Sequence, residues 1–278
     1  MNDKHTISNL PIVLPDLTTN ELHIYHGNQD VPWTIILPAM GIRASYYHQI
    51  AKKLSEHIRQ TIVTIDYRGF GYSSVRASRK TDFGFKTWLD DLDFITEIVL
   101  KKSGQTGINI LGHSIGGQLG ALYYSRFPQK VERLFLVGSS LPYYKIWNWP
   151  GKLKLWLGGY LAPFFSNIVG YFPGEIIGFA GKEAKSCIAD WSHVVRTGKY
   201  LLSNDLFDYE QAMKTIYPKI TAISFPDDNL APPYTIPYLL DKFNSSPDIE
   251  SRIVDGFDHF NWVKLADKFI EKTQIFKT

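Results

Sequence analysis

An α/β fold, in which helices flank a mostly parallel sheet and one helical insertion interrupts it, is what this chain of 278 residues predicts. Three observations carry the expectation. Short apolar runs alternate with amphipathic stretches, which is the pattern of βαβ units and so of a parallel sheet. The apolar runs end in loops rich in Gly, Pro, Asp or Ser, and in such a sheet these loops gather on the strand edge where ligands bind. The alternation fails once, between about residues 141 and 215, and then resumes.

In chain order, Pro11 to Leu14 and Glu21 to Tyr25 are β-prone and suggest a small antiparallel start, with turn residues at Gly27-Asn28 and Gln29-Asp30. Trp33 to Leu37 is an apolar run and predicts a buried strand, followed by Pro38-Ala39-Met40-Gly41 and a helix from about Ser45 to His57. Thr61 to Ile65 predicts the next strand, ending in the glycine-broken loop Asp66 to Ser73. Between Thr81 and Lys102, apolar residues at 85, 88, 89, 92, 95, 98 and 99 share one helical face, and Ser103-Gly104 ends it.

Ile108 to Leu111 is a short apolar run, Gly112-His113-Ser114-Ile115-Gly116 a sharp turn, and Leu119, Leu122 and Tyr123 then recur with helical spacing. Arg133 to Val137 is another strand, closed by Gly138-Ser139-Ser140. After the interruption come a strand at Ile220 to Phe225, the loop Pro226 to Pro232 and a helix from about Thr235 to Phe243. A strand at Arg252 to Val254, the loop Asp255 to Phe260 and an amphipathic helix from Trp262 to Phe276 close the chain.

The interrupting stretch holds four of the seven tryptophans, Trp147, Trp149, Trp156 and Trp191, among many Tyr, Phe, Gly and Pro. It reads as a mostly helical cap at 141–215, inserted into a core made of 1–140 and 216–278.

Composition narrows the function classes. At 44% hydrophobic and 21% charged, the chain can bury a sizeable core. The net charge of +3 comes from scattered residues, which argues against a nucleic-acid partner. Its single cysteine, Cys187, allows no intramolecular disulfide and suits a reducing compartment, as a packing residue. The first residues show no apolar run of signal-peptide length, and no segment reaches membrane-spanning length without a charge or breaker. A soluble, cytoplasmic protein with no stable membrane insertion is expected. No histidine or cysteine spacing suggests a metal. Gly69 and Gly71 do not open a helix after a strand, so a dinucleotide is not expected, and no cofactor is.

The chemistry concentrates at Ser114. Strand, tight turn and helix with a serine at the apex form the context of a G-x-S-x-G nucleophile elbow. The turn leaves no room for side chains at 112 and 116, and the Ile115 N–H at the helix N-terminus points where negative charge would develop. Serine alone is a weak nucleophile and needs a positioned base. His259 stands in the loop after the last strand, and Asp227 and Asp228 stand in the loop before it. A carboxylate on the second imidazole nitrogen would set the tautomer.

The order Ser…Asp…His and these motifs resemble the α/β-hydrolase superfamily over nearly the whole chain. More narrowly, P-A-M-G at 38–41, D-Y-R-G-F-G-Y-S at 66–73, G-H-S-I-G-G-Q at 112–118 and the tryptophan-rich cap resemble bacterial α/β-hydrolases of the serine aminopeptidase-like branch. The resemblance implies a cofactor-independent serine hydrolase acting through an acyl-enzyme, with Ser114 as nucleophile and His259 as base. Family loops place the acid four residues before a proline, which prefers Asp228, ahead of Pro232, and keeps Asp227 as the alternative. Most relatives carry His-Gly where this chain has Pro38-Ala39. Pro38 has no N–H, so the oxyanion donors are expected at Ile115 and Met40, with Gly41 the alternative to Met40. A serine at the elbow excludes the relatives that use an aspartate nucleophile.

The aromatic cap suggests a small hydrophobic acyl substrate. A thioesterase or acyltransferase, and a non-catalytic binding protein on the same fold, remain the competing classes. His113 is expected to pack beneath the nucleophile, and Asp66 and Arg68 to brace their loop. Structural roles are expected for His48 and His193.

Overall fold

A computed structural model describes residues 7–276 except Gln29 and Phe179, and only the backbone of Ile177. The first six residues, the Gln29 part of the expected turn and Phe179 at the end of the aromatic stretch lie outside the described residues.

Ten strands are described: β1 (Ile7–Val13), β2 (Thr19–Tyr25), β3 (Thr34–Leu37), β4 (Ile62–Thr64), β5 (Ile108–His113), β6 (Val131–Val137), β7 (Tyr171–Pro173), β8 (Lys182–Ala184), β9 (Ile220–Ser224) and β10 (Ile249–Ile253). Eight of them form one sheet in the order β1-β2-β4-β3-β5-β6-β9-β10. β1 and β2 pair antiparallel, as do β2 and β4, and every other pair in that sheet is parallel. The helices are α1 (His48–His57), α2 (Phe85–Ser103), α3 (Ile115–Arg126), α4 (Gly151–Val169), α5 (Gly174–Ile177), α6 (Lys185–Thr197), α7 (Tyr209–Thr215), α8 (Pro237–Leu240), α9 (Asn261–Lys264) and α10 (Ala266–Thr273).

The apolar runs are continuous because the parallel strands are covered on both faces. With a side-chain period of two, Ile35, Leu37, Leu134 and Leu136 face one layer, which contains Leu89 and Leu92 of α2 and Leu119 and Leu122 of α3. Ile36, Phe135 and Val137 face the other, built from Ile50 and Leu54 of α1 and Trp262 and Phe269 of the last two helices. β5 sits centrally, with Leu37 opposite Gly112 and His113 opposite Val137, so the loops after β3, β5 and β6 converge.

Several elements differ from the sequence expectation, each for a physical reason. α2 starts at Phe85 rather than near Thr81: Gly84 is extended, and the first helical N–H, that of Phe85, is capped at 2.9 Å by the Asp190 carboxylate of α6. The helix expected at Thr235 to Phe243 shrinks to a short turn at 233–235 and the four residues of α8, which restart at Pro237. β10 begins three residues before the expected Arg252 and is an edge strand, half exposed along its length. The closing helix breaks at Leu265, whose ψ of 40° is not helical. The stretch between β6 and β9 contains, besides α4 to α7, the small antiparallel pair of β7 and β8. Its last part lies on the core: Arg126 of α3 donates to Asp205 at 2.8 Å and to the Tyr209 hydroxyl at 3.2 Å.

Candidate active site

The backbone at Ser114 has φ 55° and ψ −119°, a strained conformation at the tip of the β5–α3 turn. Close packing imposes the flanking glycines. A Cβ on Gly112 would lie 2.4 Å from the Gly117 backbone, and one on Gly116 would lie 2.2 Å from the Leu37 carbonyl oxygen. The turn is held by main-chain groups: the Ser114 N–H donates to Val137 O at 3.1 Å, and the Ser139 hydroxyl donates to Ser114 O at 2.7 Å.

Ser114, Ile115, Met40 and His259 all line one cavity of about 780 Å³, whose other walls are largely apolar. Asp228 stands behind His259, its side chain fully buried. Its Oδ2 accepts from His259 Nδ1 at 2.8 Å, while its Oδ1 accepts the N–H groups of Leu230 at 2.8 Å and Ala231 at 2.7 Å. Asp227 is exposed. The carboxylate that meets the histidine is therefore that of Asp228. The histidine loop is itself braced, since Asp258 Oδ1 accepts the N–H groups of Phe260 and Asn261, each at 2.8 Å.

The segment 38–41 has a support that sequence reasoning missed. The Tyr47 hydroxyl accepts the Ala39 N–H at 2.9 Å and meets His113 Nδ1 at 2.7 Å. Burial raises the Tyr47 pKa, and burial with the nearby His259 holds that of His113 well below the ordinary histidine range. Tyr47 thus keeps its proton and donates a hydrogen bond to neutral His113. Pro38 has no N–H and the Ala39 N–H is taken, which leaves the Met40 N–H as the next donor along the segment. Gly138 was also missed. A Cβ there would lie 3.1 Å from Asp228 Oδ2 and 3.4 Å from His259 Nδ1, and its φ is 52°. Glycine at the end of β6 gives the Asp228–His259 couple its room.

Other sequence candidates sit apart from the cavity lining. Asp66 accepts from the Ala44 and Tyr72 N–H groups, and Arg68 forms a two-bond pair with Asp91, so both brace their loop. His48 packs on His23 and Tyr25, and His193 is half-buried on α6. Cys187 is buried, and burial raises its thiol pKa. Among the described residues, no group of three or more His, Cys, Asp or Glu could hold a metal ion.

The segment before β8 closes over the loop at 38–41. A Cβ on Gly41 would lie 2.4 Å from the Gly181 nitrogen. Glu183 is buried there, with Oε1 accepting the Gly181 N–H at 3.3 Å and Oε2 meeting no partner among the described residues. Burial pushes its carboxyl from 4.5 up to about 7. The folded state then keeps a proton that the unfolded chain releases. This contribution is fully present below the unfolded value and is lost as pH rises through the folded one. Glu183→Gln is expected to remove a loss on the order of 2–3 kcal/mol between pH 5 and 8. Thermal denaturation at both pH values checks this; a variant whose melting temperature falls as steeply as the wild type's would refute it.

Residues 32–264 match the family model described as alpha/beta hydrolase fold. With most of its length covered, the chain belongs to the α/β-hydrolase-fold family. It is 31% identical over 126 residues to a pimeloyl-[acyl-carrier protein] methyl ester esterase of Yersinia enterocolitica, covering 45% of this chain and 43% of that protein. It is 24% identical over 257 residues to a proline iminopeptidase of Lactobacillus helveticus, covering 82% of this chain and 83% of that one. The chain thus spans less than half the length of some of the curated relatives it matches. Among solved structures, a thermophilic esterase from Thermogutta terrifontis shares the fold with a TM-score of 0.66 at 12% identity, covering 97% of each chain. No described helix is long and apolar enough to cross a membrane.

Proposed function

We propose that the protein is a cofactor-independent, cytoplasmic serine hydrolase that cleaves a carboxylic ester or related acyl bond through an acyl-enzyme. The observation that carries this reading is the buried Asp228–His259 pair, whose histidine opens on the same cavity as the strained apex at Ser114. Ser114 Oγ attacks the acyl carbon while His259 Nε2 takes its proton. Asp228 keeps the imidazole proton on Nδ1 and stabilises the imidazolium. The N–H groups of Met40 and Ile115 receive the oxyanion. His259 then protonates the leaving alkoxide, and water resolves the acyl-enzyme by the same route. Residues 141–215 act as the cap over this cleft, with a small hydrophobic acyl compound as substrate.

Of the relatives, one is named for a methyl ester and another for an iminopeptidase, so esters, thioesters and aminoacyl amides form the panel to assay. A fluorophosphonate probe is expected to leave a single adduct, mapped by mass spectrometry to Ser114. Absence of any adduct would favour a non-catalytic binding protein.

The apolar cavity is expected to favour acyl groups of medium length or longer over acetyl. Each extra buried methylene contributes up to about 0.8 kcal/mol. Four more raise kcat/KM by up to roughly 200-fold if all are realised in the transition state. Measuring kcat/KM for p-nitrophenyl esters from acetate to decanoate tests this, and a monotonic fall with length would rule out the acyl pocket.

A further inference from the structure

We propose that the outer face of α4 docks on an anionic lipid surface, with the helix lying in the plane of the interface. α4 turns small residues inward. Gly159 and Ala162 are buried, and a Cβ on Gly159 would lie 2.8 Å from Val195 of α6. Outward it leaves Leu153, Trp156, Tyr160, Leu161, Phe164 and Ile168 between 37% and 59% exposed. These recur at helical spacing over four turns, with Asn167 the polar residue among them. A soluble monomer rarely leaves so long an apolar stripe uncovered.

Charge decides what covers it. α4 carries no acid, and its only charged residues are Lys152 and Lys154 near its start. At its far end the Arg79 guanidinium binds the Val169 and Ile168 carbonyls at 2.9 and 3.2 Å. Beside its middle, Arg196 lies 5.6 Å from the centre of the Tyr160 ring. From 141 to 200 the chain has seven Lys and Arg against three acids. Two of those acids, Glu183 and Asp190, are buried. Apolar and aromatic side chains rimmed by cations fit acyl chains beneath anionic headgroups. The same rim disfavours a second copy on a two-fold axis, where these cations would face their own kind.

The stripe is also continuous with the cavity. Leu157, Leu161 and Phe165 line the cavity and are themselves 39%, 47% and 50% exposed, so its mouth opens on this face. An apolar compound dissolved in the lipid could then reach Ser114 without crossing water.

Co-sedimentation with phosphatidylcholine vesicles, with and without phosphatidylglycerol, tests the proposal independently of any catalysis. The full chain is expected to pellet with the anionic vesicles and to shift its tryptophan emission to the blue. Phe164→Ser with Ile168→Ser, neither residue lining the cavity, should weaken binding roughly 30-fold. Lys152→Gln should weaken it roughly fivefold on anionic vesicles and leave binding to phosphatidylcholine alone unchanged. Circular dichroism confirms that each variant is folded. Failure of the wild type to bind either vesicle overturns the proposal, as does wild-type binding by the folded Ser variant. So does a dimer, seen by sedimentation velocity, that the Phe164 and Ile168 changes abolish.

Discussion

Replacing Ser114 with alanine is expected to lower ester turnover by a factor on the order of 10⁴ to 10⁶ while leaving the fold in place. The two halves of this expectation rest on different atoms. The elbow is held by the Ser114 N–H and carbonyl, bonded to Val137, Ser139 and Gly117, and alanine keeps all of these. The flanking glycine contacts are likewise main-chain matters. Only the hydroxyl is lost, and with it the atom that would form the acyl bond. The donors proposed at Met40 and Ile115 remain and would account for the residual rate, since binding and oxyanion stabilisation persist without the nucleophile. Turnover should be measured on a contaminant-free preparation together with the melting temperature. Near-normal kcat would remove Ser114 from the nucleophile role, whereas a collapsed melting temperature would show that the hydroxyl supports the fold.

What could be read from the sequence was whatever depends on neighbours along the chain. The elbow was legible because the apolar period changes from strand to helix across five residues with glycine on either side. Ser103-Gly104 marked the end of α2, where Gly104 takes the left-handed conformation at φ 69°. The start of α2 was not legible, because its cap comes from Asp190, over a hundred residues later. β10 was read short because an edge strand needs no continuous apolar run, and Ile249–Ile253 has none. Tyr47 resembled any aromatic of an amphipathic helix start, and Gly138 any strand-ending glycine. Their tasks exist only once β3, β5, β6 and β9 bring their loops together. The stripe on α4 shows a related limit. Its aromatics pointed to a covered cleft, yet helical geometry sends part of them to the cavity and part outward.

Asp228→Asn is expected to lower kcat by about 10⁴, and Asp227→Asn to leave it nearly unchanged. The reason lies in which atoms asparagine can imitate. Its amide oxygen can go on accepting from the Leu230 and Ala231 N–H groups, which now bind Asp228 Oδ1. Its NH₂ then replaces Oδ2 against His259 Nδ1. Two donors cannot share that bond, so the imidazole shifts its proton to Nε2 and accepts on Nδ1. The nitrogen turned toward the cavity then carries a proton and cannot take one from Ser114, and a charged imidazolium loses its counter-ion. Packing is hardly altered, so the loss should appear in kcat, with KM and melting temperature close to wild type. Asp227 is exposed and has no bond to His259, and its amide variant changes only a solvated charge. The comparison therefore separates the two aspartates by chemistry rather than by damage. A larger loss at Asp227 than at Asp228 would overturn the assignment, and equal small losses would show that the carboxylate on Nδ1 is not used in turnover.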